Sequence, residues 1–423
     1  MSADGLSPGQ ASRGSDRAPG PADTVSATYR DVLRTPGALR VFLPALVGRL
    51  SFAMVTLVLL LAVQQSTDSF AVAGAATGAF GLANVLASPY RARFVDRRGQ
   101  RFALTLLATG FALGLAGLAW LTAQPAPSAW AIVALAAVGG LFPPPLGASM
   151  RVLWAALTPA GALRTKAYSV DAVCEELLFT TGPLLAAAAV SLASPAAGLL
   201  VTAAVAVLGT LGMTSSPASR VHVAAPAAGP ARQHRPLRQP GFVPVLVALL
   251  GVGVVLGTVE VVAPAVADAQ GSVGLAGVLL AAFAAGSAVG GLLYGHHSWR
   301  MRLQSRLIIA VLVMSVLCAL LATIGAVVLL AVGLAAVGFF LAPSLVTGYL
   351  LADDLTAPEV RTEASSWINT AVNAGAAAAA TGVGLAVDAV EPRFGFLLGA
   401  AVALLLLAVA ASRLMRARQP HPA

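Results

Sequence analysis

The sequence predicts an all-α membrane protein of twelve transmembrane helices arranged as two pseudo-symmetric six-helix bundles. Three observations predict it. The chain is 58% hydrophobic and only 10% charged, where soluble domains carry about a quarter of their residues as charges. Apolar runs of about 20 residues, enough to cross a hydrocarbon core about 30 Å thick, recur along its length. The second half of the chain also repeats features of the first. Long alternations of polar and apolar residues are missing from these runs, so helices fit and a membrane β-barrel does not.

In chain order, residues 1–38 are rich in Ser, Gly, Pro, Ala and charge and read as a disordered cytoplasmic tail. The first apolar run is too long and too far along the chain for a secretory signal. Residues 39–213 hold the first bundle, with spans at 40–63, 71–90, 102–122, 130–157, 165–190 and 194–213. Residues 214–240, rich in Pro, Ala and Arg, read as a cytoplasmic linker. Residues 241–412 hold the second bundle, with spans at 242–266, 273–295, 305–325, 327–352, 361–387 and 394–412, and 413–423 form a second cytoplasmic tail. Ala, Gly, Leu and Val dominate the spans, and the small residues favour close helix packing. Pro143, Pro144 and Pro145 are expected to kink or interrupt the fourth span.

The net charge of +9 could suggest a nucleic-acid partner, but its distribution excludes one. Arg91, Arg93, Arg97, Arg98 and Arg101 follow span two, Arg164 and Lys166 follow span four, and Arg220, Arg232, Arg235 and Arg238 follow span six. Arg300, Arg302 and Arg306 follow span eight, and Arg413, Arg416 and Arg418 follow span twelve, whereas the opposite loops carry almost no base except Arg393. By the positive-inside rule both termini are cytoplasmic. Cys174 and Cys318 both fall inside spans and suggest neither a disulfide framework nor a metal cluster. His222, His234, His296, His297 and His421 lie in loops or a tail, so no catalytic constellation, metal site or cofactor is expected.

The repeat is specific. LTPAGALRTKAYS (157–169) answers LTAPEVRTEASS (355–366), pairing Leu157 with Leu355, Arg164 with Arg361 and Ala167 with Ala364. Phe142 and Pro145 fall 198 residues before Phe340 and Pro343. Six plus six spans, a basic central linker and ARFVDRRGQR (92–101) after span two together resemble the major facilitator superfamily of secondary transporters. The family signature in that loop is matched at Asp96, Arg97, Gly99 and Arg101, with Ala92 at the leading glycine position and Gln100 where a base is usual. The resemblance implies the major facilitator fold, with Asp96 latching the halves together near the start of span eleven, around Arg361. Gly99 suits a tight turn, and Asp96 is an anion able to sit at a helix N-terminus. On another view Arg97 and Arg101 are topology determinants only.

DAVCEELLF (171–179) places Asp171, Glu175 and Glu176 in an apolar helix, where a central charge costs roughly 2.5–3.5 kcal/mol on insertion scales. Counting along the helices puts Asp171 about 9 Å and Glu175 and Glu176 about 15 Å from the cytoplasmic end; Arg49 lies about 13 Å and Arg151 about 9 Å deep. Depth therefore pairs Arg49 with Glu175 or Glu176, and Arg151 with Asp171. The resemblance implies that spans one, four and five are neighbours and that one and four line a central cavity. Three acids against two bases leave one carboxylate over, the candidate for reversible protonation. Asp171, Glu175 and Gly182 share a helix face, and Glu176 points roughly 100° away. The alternative is a static ion-pair network.

Gly182 and Pro183 resemble the glycine-proline centre of the fifth-span motif of proton-coupled exporters, with Leu178, Ala186 and Ala187 where that motif prefers glycine. Asn369 and Asn373, with Trp367, sit early in span eleven as candidate contacts to a substrate or to span eight. Glu260 is expected in the outer third of span seven, reaching water or serving as an outward proton site, and Tyr349, Asp353 and Asp354 at the cytoplasmic interface. The implied protein is a monomeric, multi-pass plasma-membrane transporter in a lipid bilayer, exporting a small, partly apolar molecule against protons. Proton-coupled uptake of a nutrient is the alternative within the class, and a non-transporting membrane sensor the alternative outside it.

Overall fold

The structure, a computed structural model, describes residues 27–221, 235–270, 273–389 and 392–414. The sequence-predicted tails and linker therefore lie partly outside the described residues, at 1–26, 222–234 and 415–423, together with His222, His234, His421, Arg232, Arg416 and Arg418.

The first half is built of α1 (Tyr29–Arg34), α2 (Ala38–Thr67), α3 (Phe70–Arg98), α4 (Gln100–Thr122), α5 (Ala129–Gly140), α6 (Leu146–Leu157), α7 (Ala162–Leu192) and α8 (Pro195–Ser215), followed by the short α9 (Pro217–Val221). The second comprises α10 (Phe242–Ala269), α11 (Val273–His296), α12 (Leu303–Leu321), α13 (Val327–Gly338), α14 (Leu341–Leu355), α15 (Arg361–Ala389) and α16 (Phe394–Leu414). Each of the twelve spans has its helix, the fourth being α5 plus α6 and the tenth α13 plus α14. Side-chain oxygens of Ser69, Ser128 and Ser194 cap α3, α5 and α8, supplying acceptors to otherwise orphaned N–H groups.

Three departures from the sequence reading have simple causes. Pro143–Pro145 break the fourth span outright, and Pro145 precedes the first residue of α6. The break between Gly338 and Leu341 in the tenth span is its repeat-related counterpart. Helix α3 continues to Arg98, past the apolar run, so Arg91, Arg93, Asp96, Arg97 and Arg98 are helical and the loop shrinks to Gly99. Backbone hydrogen bonding continues there because these turns lie against other helices and water, where charge is tolerated. Within the segment read as a disordered tail, Tyr29–Arg34 is helical, nucleated by a capping box in which Thr28 Oγ1 accepts from Asp31 N and Asp31 Oδ2 accepts from Thr28 N at 2.6 Å. Those bonds hold the Asp31 carboxyl below the usual carboxylate range.

Among the described residues, ten helical segments are long and apolar enough to cross a membrane by length and composition. Large apolar side chains cover the outside, among them Leu82, Leu113, Trp130, Leu208 and Val328, a surface suited to lipid rather than water. Inside each bundle glycines bring backbones together: a methyl group at Gly253, Gly257 or Gly375 would strike the facing backbone between α10 and α15, and at Gly286 or Gly290 that of α13 and its C-terminal turn. Helix association in lipid depends on such close packing.

The halves meet at one end. That end carries the arginine-rich turns, and there α3 packs on α15, α7 on α11 and α14, and α6 on α15. One apolar cluster runs across both halves, containing Phe42, Trp154 and Tyr168 with Phe242, Tyr294 and Tyr349. A second cluster, around Val58, Phe80, Phe111 and Leu199, belongs to the first half alone. Towards the opposite end the halves part: Gly74, Gly78 and Gly81 of α3 and Gly382 and Gly384 of α15 face open space.

Candidate functional site

Four of the five charged residues singled out in the sequence come together: the expected Arg151–Asp171 contact is present, and Arg49 exchanges its expected partner, Glu175 or Glu176, for Asp171. Arg49 of α2 donates to both oxygens of Asp171 on α7, at 2.9 and 3.1 Å. Arg151 of α6 donates to Glu175 Oε2 at 2.5 Å, and its Nε stands 3.3 Å from Asp171 Oδ2. The exchange follows from the direction in which helical side chains lean, which is towards their own N-terminus. Helices α2 and α7 begin at the basic end, so Arg49, Asp171 and Glu175 lean back towards it. Helix α6 runs the other way, so Arg151 leans deeper and meets Glu175. Asp171 and Arg151 are each 1% exposed and Arg49 8%, while Glu175 is half-buried at the cavity, so two cations and two anions form one balanced set. Gly147 gives the Arg49 guanidinium its room, since a Cβ there would sit 2.8 Å from Nη2.

Arg151 also reaches the second half. Its guanidinium lies 3.6 Å from the centre of the Tyr349 ring and 3.5 Å from Asn369 Oδ1, and Tyr349 OH donates to Asn369 Oδ1 at 2.6 Å. Tyr349 is thus a buried contact between the halves rather than an interfacial residue, and Asn369 bonds to α14 and α6, not to the eighth span.

A cavity of about 440 Å³ lies beside this set, lined from both halves. Glu175, Glu176, Glu260, Asn369 and Asn373 open onto it, as do Arg49, Arg91, Phe52, Phe111 and Phe179. Glu176 takes no arginine among the described residues; it faces Ser287 of α11 and lies within electrostatic range of Glu260 on α10. Glu260 therefore looks into the cavity rather than only into outside water. Arg91, 7% exposed, is held by Gly140 O at 3.0 Å and by Asn84 O and Oδ1 at 3.0 and 2.7 Å. Trp367 lies outside the cavity and packs against the shared apolar cluster. Gly182 abuts Ala53 of α2, and α7 runs unbroken through Pro183.

The closed end explains the signature loop. Asp96 Oδ2 accepts from the backbone N–H of Glu363 at 2.9 Å, in the first turn of α15, where the helix dipole favours an anion. Arg97 and Arg101 are exposed, while Gly99 takes φ +81° to end α3. Gln100, at the position where a base is usual, donates to Ser149 O at 3.1 Å and is buried. Arg361 approaches Asp353 at 3.6 Å, and its repeat-related partner Arg164 approaches the same carboxylate at 3.9 Å. Tyr168 OH donates to Asp353 as well.

Residues not singled out in the sequence complete the closure. Arg93 forms a two-point pair with Glu363 at 2.5 and 3.0 Å, and Ser88 Oγ meets Ser366 Oγ at 2.7 Å. On the repeat-related side Lys166 Nζ donates to Gly295 O at 2.5 Å, and Tyr29 OH donates to Leu292 O. There a cation sits at the C-terminus of α11, the charge-reversed counterpart of Asp96 at the N-terminus of α15. Burial pushes the Tyr29 hydroxyl up to about 12, which keeps it a donor. Lys166 was legible only as a topology charge.

Comparison with known proteins agrees with this architecture. The Major Facilitator Superfamily profile matches residues 41–271 and 245–423. No curated protein sequence matches the chain. Among solved structures, the human organic anion transporter MFSD10 (TETRAN) is 17% identical, with a TM-score of 0.69 over 91% of this chain and 100% of its own. A variant of the E. coli fucose:proton symporter FucP is 16% identical, with a TM-score of 0.68 over 91% of this chain and 99% of its own. A bacterial homologue of the iron transporter ferroportin, in an outward-facing state, is 14% identical, with a TM-score of 0.69 over 89% of this chain and 99% of its own.

Proposed function

The chain belongs to the major facilitator superfamily, so it is a multi-pass membrane transporter of the secondary, alternating-access kind and not an enzyme, and from that premise we propose that it is a proton-coupled exporter of a small, partly apolar molecule. The arginine-rich end is cytoplasmic, as are both termini, by the positive-inside rule. The cavity then opens outward, and Asp96, Arg93 and Lys166 hold the cytoplasmic gate shut. The membrane is the plasma membrane, and a single chain forms the working unit.

One observation carries the proton coupling. Arg49 and Arg151 balance Asp171 and Glu175, which leaves Glu176 as a carboxylate in the cavity without a cation among the described residues. A carboxyl in that position gains or loses a proton at lower cost than any member of the balanced set. The groups facing it are Glu175 on its own helix, Glu260 on α10 and Ser287 on α11. The fucose:proton symporter among the similar folds is itself proton-coupled by name. Export is favoured by the resemblance of Gly182 and Pro183 in α7 to the centre of the exporter motif.

The test is a proteoliposome assay with an imposed pH gradient and a panel of labelled compounds. Wild-type protein moves a compound opposite to the proton gradient, and Glu176→Gln abolishes gradient-driven flux while retaining exchange without a gradient. Undiminished gradient-driven flux in Glu176→Gln refutes coupling through this residue. Flux along the proton gradient refutes export.

A further inference from the structure

We propose that the cargo is a lipophilic organic monocation, of the amine or onium class, held between Glu176 of the first half and Glu260 of the second. This rests on the transport reading above and names the substrate class of the same cavity.

The charge inventory of the lining carries the proposal. Both cations that line the cavity are committed: Arg49 to Asp171, and Arg91 to Asn84 and the Gly140 carbonyl. An anionic cargo would find no uncommitted positive group among the described lining residues. Glu176 and Glu260 are the two lining acids outside the balanced set, and they project from opposite halves.

The remaining surface fits the same chemistry. Phe52 and Phe179 meet edge to face at a centroid distance of 6.3 Å, and Phe111 and Leu256 add to the wall. Aromatic faces attract a cation while burying its apolar body. A neutral polyhydroxyl cargo would need several free hydrogen-bonding groups, yet Asn369 is bonded to Tyr349 and Arg151, Asn84 to Arg91, and Ser88 to Ser366, which leaves Asn373 beside the acids. A volume of about 440 Å³ suits one drug-sized molecule.

The placement of the acids also gives the cation a mechanical effect. Two like charges lining one cavity from the two halves, within electrostatic range of each other, oppose approach of the halves there. A monocation between them turns that repulsion into attraction to both halves, so cargo binding favours the closed mouth.

The experiment measures binding of labelled tetraphenylphosphonium to the purified full-length protein, with tetraphenylborate as an anion of matching size and shape. Saturable binding of the phosphonium, none of the borate, and a weakening of about ten-fold or more in Glu176→Gln and in Glu260→Gln are expected. Should either Gln variant fold poorly, Glu176→Asp or Glu260→Asp serves instead, with a smaller loss in the same order. No saturable phosphonium binding by the wild type, equal binding of the borate, or unchanged affinity in both Gln variants overturns the proposal. Spin labels at Gly78→Cys on α3 and Gly382→Cys on α15, both with open space around them, follow the distance between the halves and report on transport separately. A mouth whose width responds to pH while phosphonium fails to bind defeats the cation proposal alone. A mouth that never changes width defeats the alternating-access reading beneath it.

Discussion

Asp171→Asn should destabilise the protein far more than Glu176→Gln, although the two acids are five residues apart on one helix. Asp171 accepts two hydrogen bonds from Arg49, at 2.9 and 3.1 Å, and stands 3.3 Å from Arg151 Nε. Neutralising it leaves two buried guanidiniums facing the single charge of Glu175. Two charge-assisted hydrogen bonds at about 1.5–3 kcal/mol each amount to about 3–6 kcal/mol. Breaking a buried pair by removing one partner costs about 3–5 kcal/mol by independent measure. Asn retains one acceptor oxygen, which places the loss near 3 kcal/mol, or a fall of about 6 °C in apparent melting temperature at about 2 °C per kcal/mol. Glu176 has no arginine to strand, so Glu176→Gln should leave the melting temperature unchanged or raise it. The assay is thermal unfolding of the purified protein followed by size-exclusion fluorescence. Adding Arg49→Gln to Asp171→Asn restores one cation against one anion and should recover part of the loss. Equal melting of Asp171→Asn and Glu176→Gln, or no recovery in the double variant, would refute the assignment of Asp171 to a balanced set and Glu176 to the surplus.

Three further outcomes follow from the closed end. Asp96→Ala removes an anion from the first turn of α15 and should cost about 0.5–2 kcal/mol of closure; spin-label distances between α3 and α15 at the basic end should lengthen, and unchanged distances would remove Asp96 from the latch. Ser88→Cys with Ser366→Cys, whose hydroxyl oxygens are 2.7 Å apart, should form a disulfide that blocks transport until reduced, detected as a mobility shift on a gel after proteolysis between the halves. Lys166→Met removes the cation that donates to Gly295 O and should open the same end from the α7–α11 side by about 0.3–1 kcal/mol, read as faster labelling of a cysteine at Ser169.

What was legible in the sequence follows from how strongly each feature is constrained. Each span has to satisfy its backbone inside a slab of fixed thickness, so apolar length located most of them, while the more polar α15 and the broken fourth span fall short of that measure in the structure. Helix ends were less legible because apolarity stops at the first charge while hydrogen bonding continues, as at Arg91–Arg98. The count of three acids against two bases was legible but not which acid was left over; the roughly 100° offset of Glu176 turns it away from the face on which Asp171 and Glu175 meet the arginines. Depth counting found the Arg151–Asp171 contact but not the Arg49–Asp171 and Arg151–Glu175 pairs, because it treats a residue as a point on its axis and neglects the lean of its side chain. Arg93, Lys166 and Tyr29 were missed as gate residues because their partners, Glu363, Gly295 and Leu292, lie in the other half of the chain. A signal existed for one of the gate contacts: the repeat relates Arg164 to Arg361, and both converge on Asp353.

Arg151 shows how a charge change in the cavity can reach the gate. It is the one member of the balanced set that touches both halves, binding Glu175 and approaching Asp171 on one side, and resting on the Tyr349 ring and Asn369 on the other. Its two sets of partners compete for one planar guanidinium. When Glu175 and Asp171 are both charged they hold it strongly, and the contact to Tyr349 comes as an addition that keeps α14 and α15 against the first half. On the proposed reading, a proton or a cation arriving at Glu176 lowers the repulsion that Glu176 exerts on Glu175. Glu175 then settles more firmly on Arg151, and the guanidinium is drawn towards α7 and away from Tyr349. The basic end loosens as the outer mouth gains its attraction, so the two gates respond in opposite senses to one event. Alternating access requires that opposition, and here it needs no long pathway: the cavity acid and the gate cation are separated by a single carboxylate, Glu175.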